Sequence, residues 1–149
     1  MMKKHIILIS LIFFFTHCGF SPIYVENTNT NFSIKNVNYK GDRELNNFLK
    51  INFDQYKNEK ANRKILIEAS SEYKKIILTK NTASKVTNYK LVANVAFLIK
   101  STNKKINITE EKIISSMDDK FEEARKERAT KQNFARSIAS KLISELVIN

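Results

Sequence analysis

Histidine occurs only as His5 and His17, cysteine only as Cys18, proline only as Pro22 and glycine only as Gly19 and Gly41, while tryptophan is absent. Each scarcity closes a class of function. A single cysteine excludes an internal disulfide. With no histidine after residue 17, a zinc set of histidine and cysteine is out of reach of the rest of the chain. Two glycines leave no loop able to cradle phosphates. Cys18 as a nucleophile would need a nearby base and a pocket, and a tethered terminal cysteine has neither. The acidic pairs that remain are weak evidence for acid–base work. Glu110 and Glu111 are neighbours on a strand pattern and face opposite ways, and Asp118 and Asp119 read as a helix start. The sequence reads as that of a non-enzyme without a cofactor.

Long apolar runs are as scarce. Residues 6–15 (IILISLIFFF) form a ten-residue uncharged stretch, preceded by Lys3 and Lys4. Such a layout is that of a secretory signal peptide. As a helix it rises about 15 Å, roughly half a bilayer's hydrocarbon thickness, so a membrane span is not expected. Cys18 follows that run after an interval of two residues, where bacterial lipoproteins are cleaved and acylated. Phe15 and His17 occupy positions that usually hold a leucine-like and a small residue, which is a departure from that pattern. Lipidation at Cys18 is the leading reading, beside an uncleaved signal anchor and a plain secreted chain. Expected boundaries are a leader over 1–17, a lipidated terminus and tether over 18–31, and one domain over 32–149. More than one acyl chain is needed for a stable anchor.

Charge is one-sided. The formal net charge is +11, and +9 without Lys3 and Lys4. That excess suits an anionic partner such as a membrane surface or an anionic lipid, and export argues against nucleic acid. A competing explanation is compositional. Lysine outnumbers arginine 21 to 5 and asparagine reaches 17, a bias that AT-rich coding would produce by itself.

Along the chain, Phe32 and Ile34 alternate and, after a step, Val37 and Tyr39, which predicts a first strand. Asp42 is a good N-cap for a helix bearing Leu45, Phe48, Leu49 and Phe53 to about Tyr56. Residues 65–78 (ILIEASSEYKKIIL) read as a strand with a bulge or bend in their polar middle. From Thr87 to Ile99 the alternation is clean, with Leu91, Ala93, Val95 and Phe97 on the same face. A fourth strand over 106–116 carries Ile106, Ile108 and Ile114. Asp119 with Glu122 resembles a capping box that opens a helix over about 120–146. Its second half has the apolar stripe Phe134, Ile138, Leu142 and Leu146, whereas its charged first half should be exposed or meet a partner. The order β-α-β-β-β-α predicts an α+β fold, a four-stranded antiparallel or mixed sheet with two helices on one face.

That topology brings the turn at residues 80–84 beside the start of the last helix. Lys80 and Lys85 are then expected near Lys120, Arg125 and Lys126, with the helix N-terminus adding partial positive charge, a cationic end suited to phosphate. A solvated rim in a lysine-rich chain is the plainer alternative.

The stretches "CGFSPIY", "GDRELNNFLK", "IILTKNTASKVTNYKLVANVAFLIK" and "FARSIASKLISEL" occur in the order found in the LPS-assembly lipoprotein LptE family, which the chain resembles over 18–146. The resemblance implies an α+β lipoprotein of the outer membrane, anchored on its periplasmic side, that sits inside the lumen of the LptD β-barrel. There it would act as plug and assembly partner in delivering lipopolysaccharide. It further implies lipopolysaccharide binding by basic residues, whose nearest positions here are Lys80 and Arg125 or Lys126, with Lys85 beside them. A lipoprotein scaffold or periplasmic ligand-binder without a barrel partner is the rival.

Overall fold

The computed structural model describes residues 32–148. The leader, Cys18 and the tether lie outside the described residues. Strand β1 (Phe32–Gly41) is followed by helix α1 (Arg43–Asp54), strands β2 (Arg63–Lys80), β3 (Val86–Ile99) and β4 (Lys104–Ser115), and helix α2 (Lys120–Ile148). The sheet order is β1-β2-β3-β4. β1 and β2 run parallel, and β2–β3 and β3–β4 antiparallel. The mixed, four-stranded α+β fold expected from the sequence is the one found. Its parallel pair follows from α1, which returns the chain to the starting end of the sheet, whereas the short turns after β2 and β3 allow only reversal.

β1 changes parity as its sequence does. The register shifts between Ile34 and Asn36, so Lys35 is an extra residue that carries the inward positions from Phe32 and Ile34 to Val37 and Tyr39. β1 ends at Gly41, where φ is +95°. A Cβ there would lie 1.8 Å from the carbonyl oxygen of Ser71, so only glycine lets β1 leave the sheet this close to β2. Asp42 then caps α1, its Oδ1 accepting from Leu45 N at 2.7 Å.

The core lies between one sheet face and the two helices. Ile65, Ile67, Leu91, Ala93, Val95, Phe97 and Ile99 are buried under Leu45, Leu49 and Phe53 of α1 and Phe134, Ile138, Leu142 and Leu146 of α2. Phe53 meets Phe97 edge to face at 6.1 Å.

Two expectations are corrected. The polar middle of β2 is not bulged: its register with β3 is continuous from Ile67 to Ile77, and the shifts fall at Thr79, where the strand nears its turn. Ser71 Oγ donates to the Asp42 carbonyl and Tyr73 to Glu127 of α2 instead, so the polar groups there are satisfied without bending the strand. The first half of α2 is also not simply exposed. Glu123, Thr130 and Lys131 are buried on its inward face.

Candidate anion-binding end of the sheet

The turn between β2 and β3 has no glycine, and its sequence shows how it closes. Asn81 Oδ1 accepts from Ala83 N at 3.0 Å and Lys85 N at 2.9 Å, and Ser84 takes the left-handed conformation with φ 60°. An asparagine that bonds forward to the backbone replaces the glycine such a turn usually needs. The far end of β2 carries Ile76, Ile77 and Leu78, all about half exposed, between Lys75 and Lys80. Phe121, at the start of α2, is 88% exposed.

Lys85 joins this turn to the α2 end through an ion pair with Asp118. Both groups are well exposed, the pair raises the lysine's pKa and lowers the aspartate's, and an arriving anion competes with it easily. Ser116 N bonds Thr87 O at 2.8 Å and ties the same two elements. Arg125 lies on the solvent side of α2, paired with Glu122 at 2.8 Å. Lys80 and Lys126 are exposed and have no ion-pair partner among the described residues. The structure thus brings Lys85 to the helix start, while Arg125 and Lys126 stand further along α2, and among the described residues neither makes a hydrogen bond or ion pair to Lys80 or Lys85.

The helix end offers less to an anion than its dipole suggests. Asp119 Oδ1 already accepts from Phe121 N at 2.8 Å and Glu122 N at 3.3 Å. The reciprocal half of the expected capping box is missing, since Glu122 turns to Arg125. Its place is taken by Glu123, which accepts from Met117 N at 2.9 Å and Ser116 Oγ at 3.0 Å.

Glu123 belongs to a polar network that apolar periodicity could not reveal. The Met117 amide first, then Lys75, Lys120 and Ser116, hold its carboxyl down to about 2, against the opposing effect of burial. Lys75 Nζ bridges Glu123 at 3.0 Å and Glu127 at 2.9 Å and lies 4.3 Å from the Tyr89 ring centroid. Burial alone would lower its pKa, but the two carboxylates carry it above the usual lysine value. Tyr73 donates to Glu127 at 3.0 Å, and burial first, then Glu127, pushes its hydroxyl pKa up. Lys131 closes the network on α1, 2.9 Å from Glu44. These groups hold α2 to the sheet. Among the described residues no three His, Cys, Asp or Glu side chains gather as a metal site, and no helix is long and apolar enough to cross a membrane.

No family model matches the chain, and no curated protein matches it by sequence. Solved structures do match it in shape. Rare lipoprotein B from Shewanella oneidensis aligns with a TM-score of 0.53 at 10% identity, covering 74% of this chain and 92% of that one. An uncharacterized lipoprotein B from Nitrosomonas europaea gives 0.55 at 14% identity, over 79% and 86%. A minor lipoprotein from Acinetobacter baumannii gives 0.51 at 13% identity, over 79% and 96%. At such identities the likeness is one of fold: the chain has the α+β architecture of these three lipoproteins.

Proposed function

We propose that this protein is an outer-membrane lipoprotein of the LptE type, acylated at Cys18, that plugs and helps to assemble an LptD-type β-barrel during delivery of lipopolysaccharide. One observation carries the reading: a fold shared with solved lipoproteins, on a chain whose one cysteine stands just after a signal-like apolar run. The solid core supports a plug over a ligand-binder, because Leu91, Ala93, Val95, Phe97 and Ile99 are at most 2% exposed beneath the helices. A ligand-binder would open that face into a cavity.

In this reading Lys80, Lys85, Arg125 and Lys126 take part in contacts to lipid phosphates, which are charge-assisted and sensitive to salt. The exposed apolar end of β2 suits the amphiphilic character of such a lipid.

The test is mass spectrometry of the mature N-terminus from Gram-negative cells, joined to affinity isolation from their outer membranes. An acylated Cys18 with co-isolation of a large β-barrel protein is expected. Cys18→Ala should remove the acyl groups and leave the leader attached. A mature chain without acyl groups and without a barrel companion would rule the proposal out.

A further inference from the structure

Among the described residues β4 is an edge strand, with β3 on one side and no strand on the other. Ser116 N donates to Thr87 O at 2.8 Å, and the β3–β4 register runs without a shift from Asn88↔Ser115 to Ile99↔Lys104. Hydrogen-bonded and non-bonded pairs alternate along an antiparallel ladder. The even-numbered residues of β4 therefore turn their backbone groups to β3. Lys105, Asn107, Thr109, Glu111 and Ile113 turn theirs to the free side.

The two edges of the sheet are finished differently. β1 is broken by the bulge at Lys35, and its Ile34 N is taken by Tyr56 O at 3.0 Å. β4 runs for 12 residues without proline or bulge. Beside it, α2 forms the second wall of a groove of about 480 Å³, lined by residues 106–109 of β4 and by Ser140 and Ser144 of α2. The ion pairs Lys104–Glu145 (3.2 Å) and Lys141–Glu110 (2.6 Å) join strand and helix near the groove's two ends. Glu111 is engaged by Lys90 at 2.6 Å. That leaves Lys105 and Lys112 as cations of β4 without an ion-pair partner among the described residues.

We propose that this edge accepts an extended segment of a partner polypeptide as an added strand, with acidic side chains near its ends against Lys105 and Lys112. An open edge strand alongside a helix is the geometry in which backbone bonding supplies affinity and flanking side chains supply choice. The lysines that discourage the edge from pairing with another like itself are the groups that select an acidic strand. A second copy of β4 would bring two more unpaired lysines to the seam, so charge favours a different chain. The two lysines are about 23 Å apart along the strand, a span that eight extended residues match. The inference does not depend on the barrel reading.

The experiment uses the full-length chain in neutral detergent and a labelled peptide, Glu-Thr-Val-Thr-Val-Thr-Val-Glu, with a lysine-ended version as control. Binding is read by fluorescence anisotropy and deuterium uptake over residues 104–115 by mass spectrometry. The acidic peptide should bind and slow uptake there, and the lysine-ended one should bind about tenfold more weakly. Asn107→Pro with Thr109→Pro removes two outward amides and one exposed hydroxyl bond from Thr109 to Asn94, and should abolish binding while the melting temperature stays close to that of the parent. Ile108→Pro, whose amide faces β3, should instead destabilise the fold. Should the double proline variant fail to fold, Lys105→Glu with Lys112→Glu replaces it, and this pair should reverse the preference between the peptides. Equal binding of both peptides, no slowing of uptake over 104–115, or a dimer that the proline pair dissolves would each overturn the proposal.

Discussion

The ammonium of Lys131 lies 3.9 Å from the centroid of the Tyr73 ring, and both side chains lie under α2 where an apolar pair would ordinarily be. Glu44 and Asp42 of the α1 start complete its surroundings, at 2.9 Å and 3.7 Å. One buried cation thus links the sheet and both helices.

Removing that cation should be costly, because Tyr73 loses the charge over its ring and Asp42 loses its cation, while Glu44, partly exposed, keeps only Arg128 at 3.4 Å. Lys131→Ala is expected to lower stability by about 2 kcal/mol. Lys131→Met keeps the bulk over Tyr73 and should lose less. The midpoints of urea unfolding measure both. A loss within the error of the measurement for Lys131→Ala would mean that the network contributes nothing to stability.

Acid should loosen the start of α2 through Glu123. Its folded pKa, about 2, lies below the ordinary carboxylate value of 4.5, so the folded state binds its proton less readily than the unfolded chain. The associated stability is present above pH 4.5 and is lost as pH falls towards 2, amounting to about 3 kcal/mol. Glu123→Gln should remove much of this pH dependence. Unfolding curves at pH 6, 4 and 2.5 for both proteins give the comparison.

The turn out of β1 should tolerate glycine alone. Gly41→Ala places a methyl group against the Ser71 carbonyl in a left-handed conformation, and a loss of about 3 kcal/mol or more is expected. Ser84→Gly should be neutral or slightly stabilising, since Ser84 holds φ 60° in an exposed turn. Thermal unfolding of the two variants checks the contrast.

The cationic end should matter for binding and not for folding. Replacing Lys80, Lys85, Arg125 and Lys126 together by glutamate should weaken lipopolysaccharide binding about tenfold, with a smaller effect at high salt. Lys80 and Lys126, without ion-pair partners among the described residues, should account for more of the loss than Lys85, which Asp118 already engages. Binding titrations at two ionic strengths, with circular dichroism as the folding control, decide it. Undiminished binding at moderate salt would remove these four residues from the proposed function.

Period-two and helical spacing made much of this fold legible. Leu91 to Ile99 announced β3, Asp42 announced the start of α1, and the step between Ile34 and Val37 appeared as the bulge at Lys35. The first half of α2 stayed hidden because its inward stripe is Glu123, Glu127, Thr130 and Lys131, which apolar periodicity does not register. The parts of the candidate site were placed by topology, and Lys85 does reach the helix start. The acids that answer the local charge were not legible, since pairing between Asp118 and Lys85, or Glu122 and Arg125, depends on rotamers and not on spacing alone.

The run KKIILTK at the far end of β2 has a consequence for handling the chain in water. Ile76, Ile77 and Leu78 stand partly bare on a ribbon, bracketed by Lys74, Lys75 and Lys80. Lysines so placed act as gatekeepers against clumping of greasy strands. Neutralising Lys74 and Lys80 would change how long the polypeptide stays dispersed during refolding far more than how tightly it is folded.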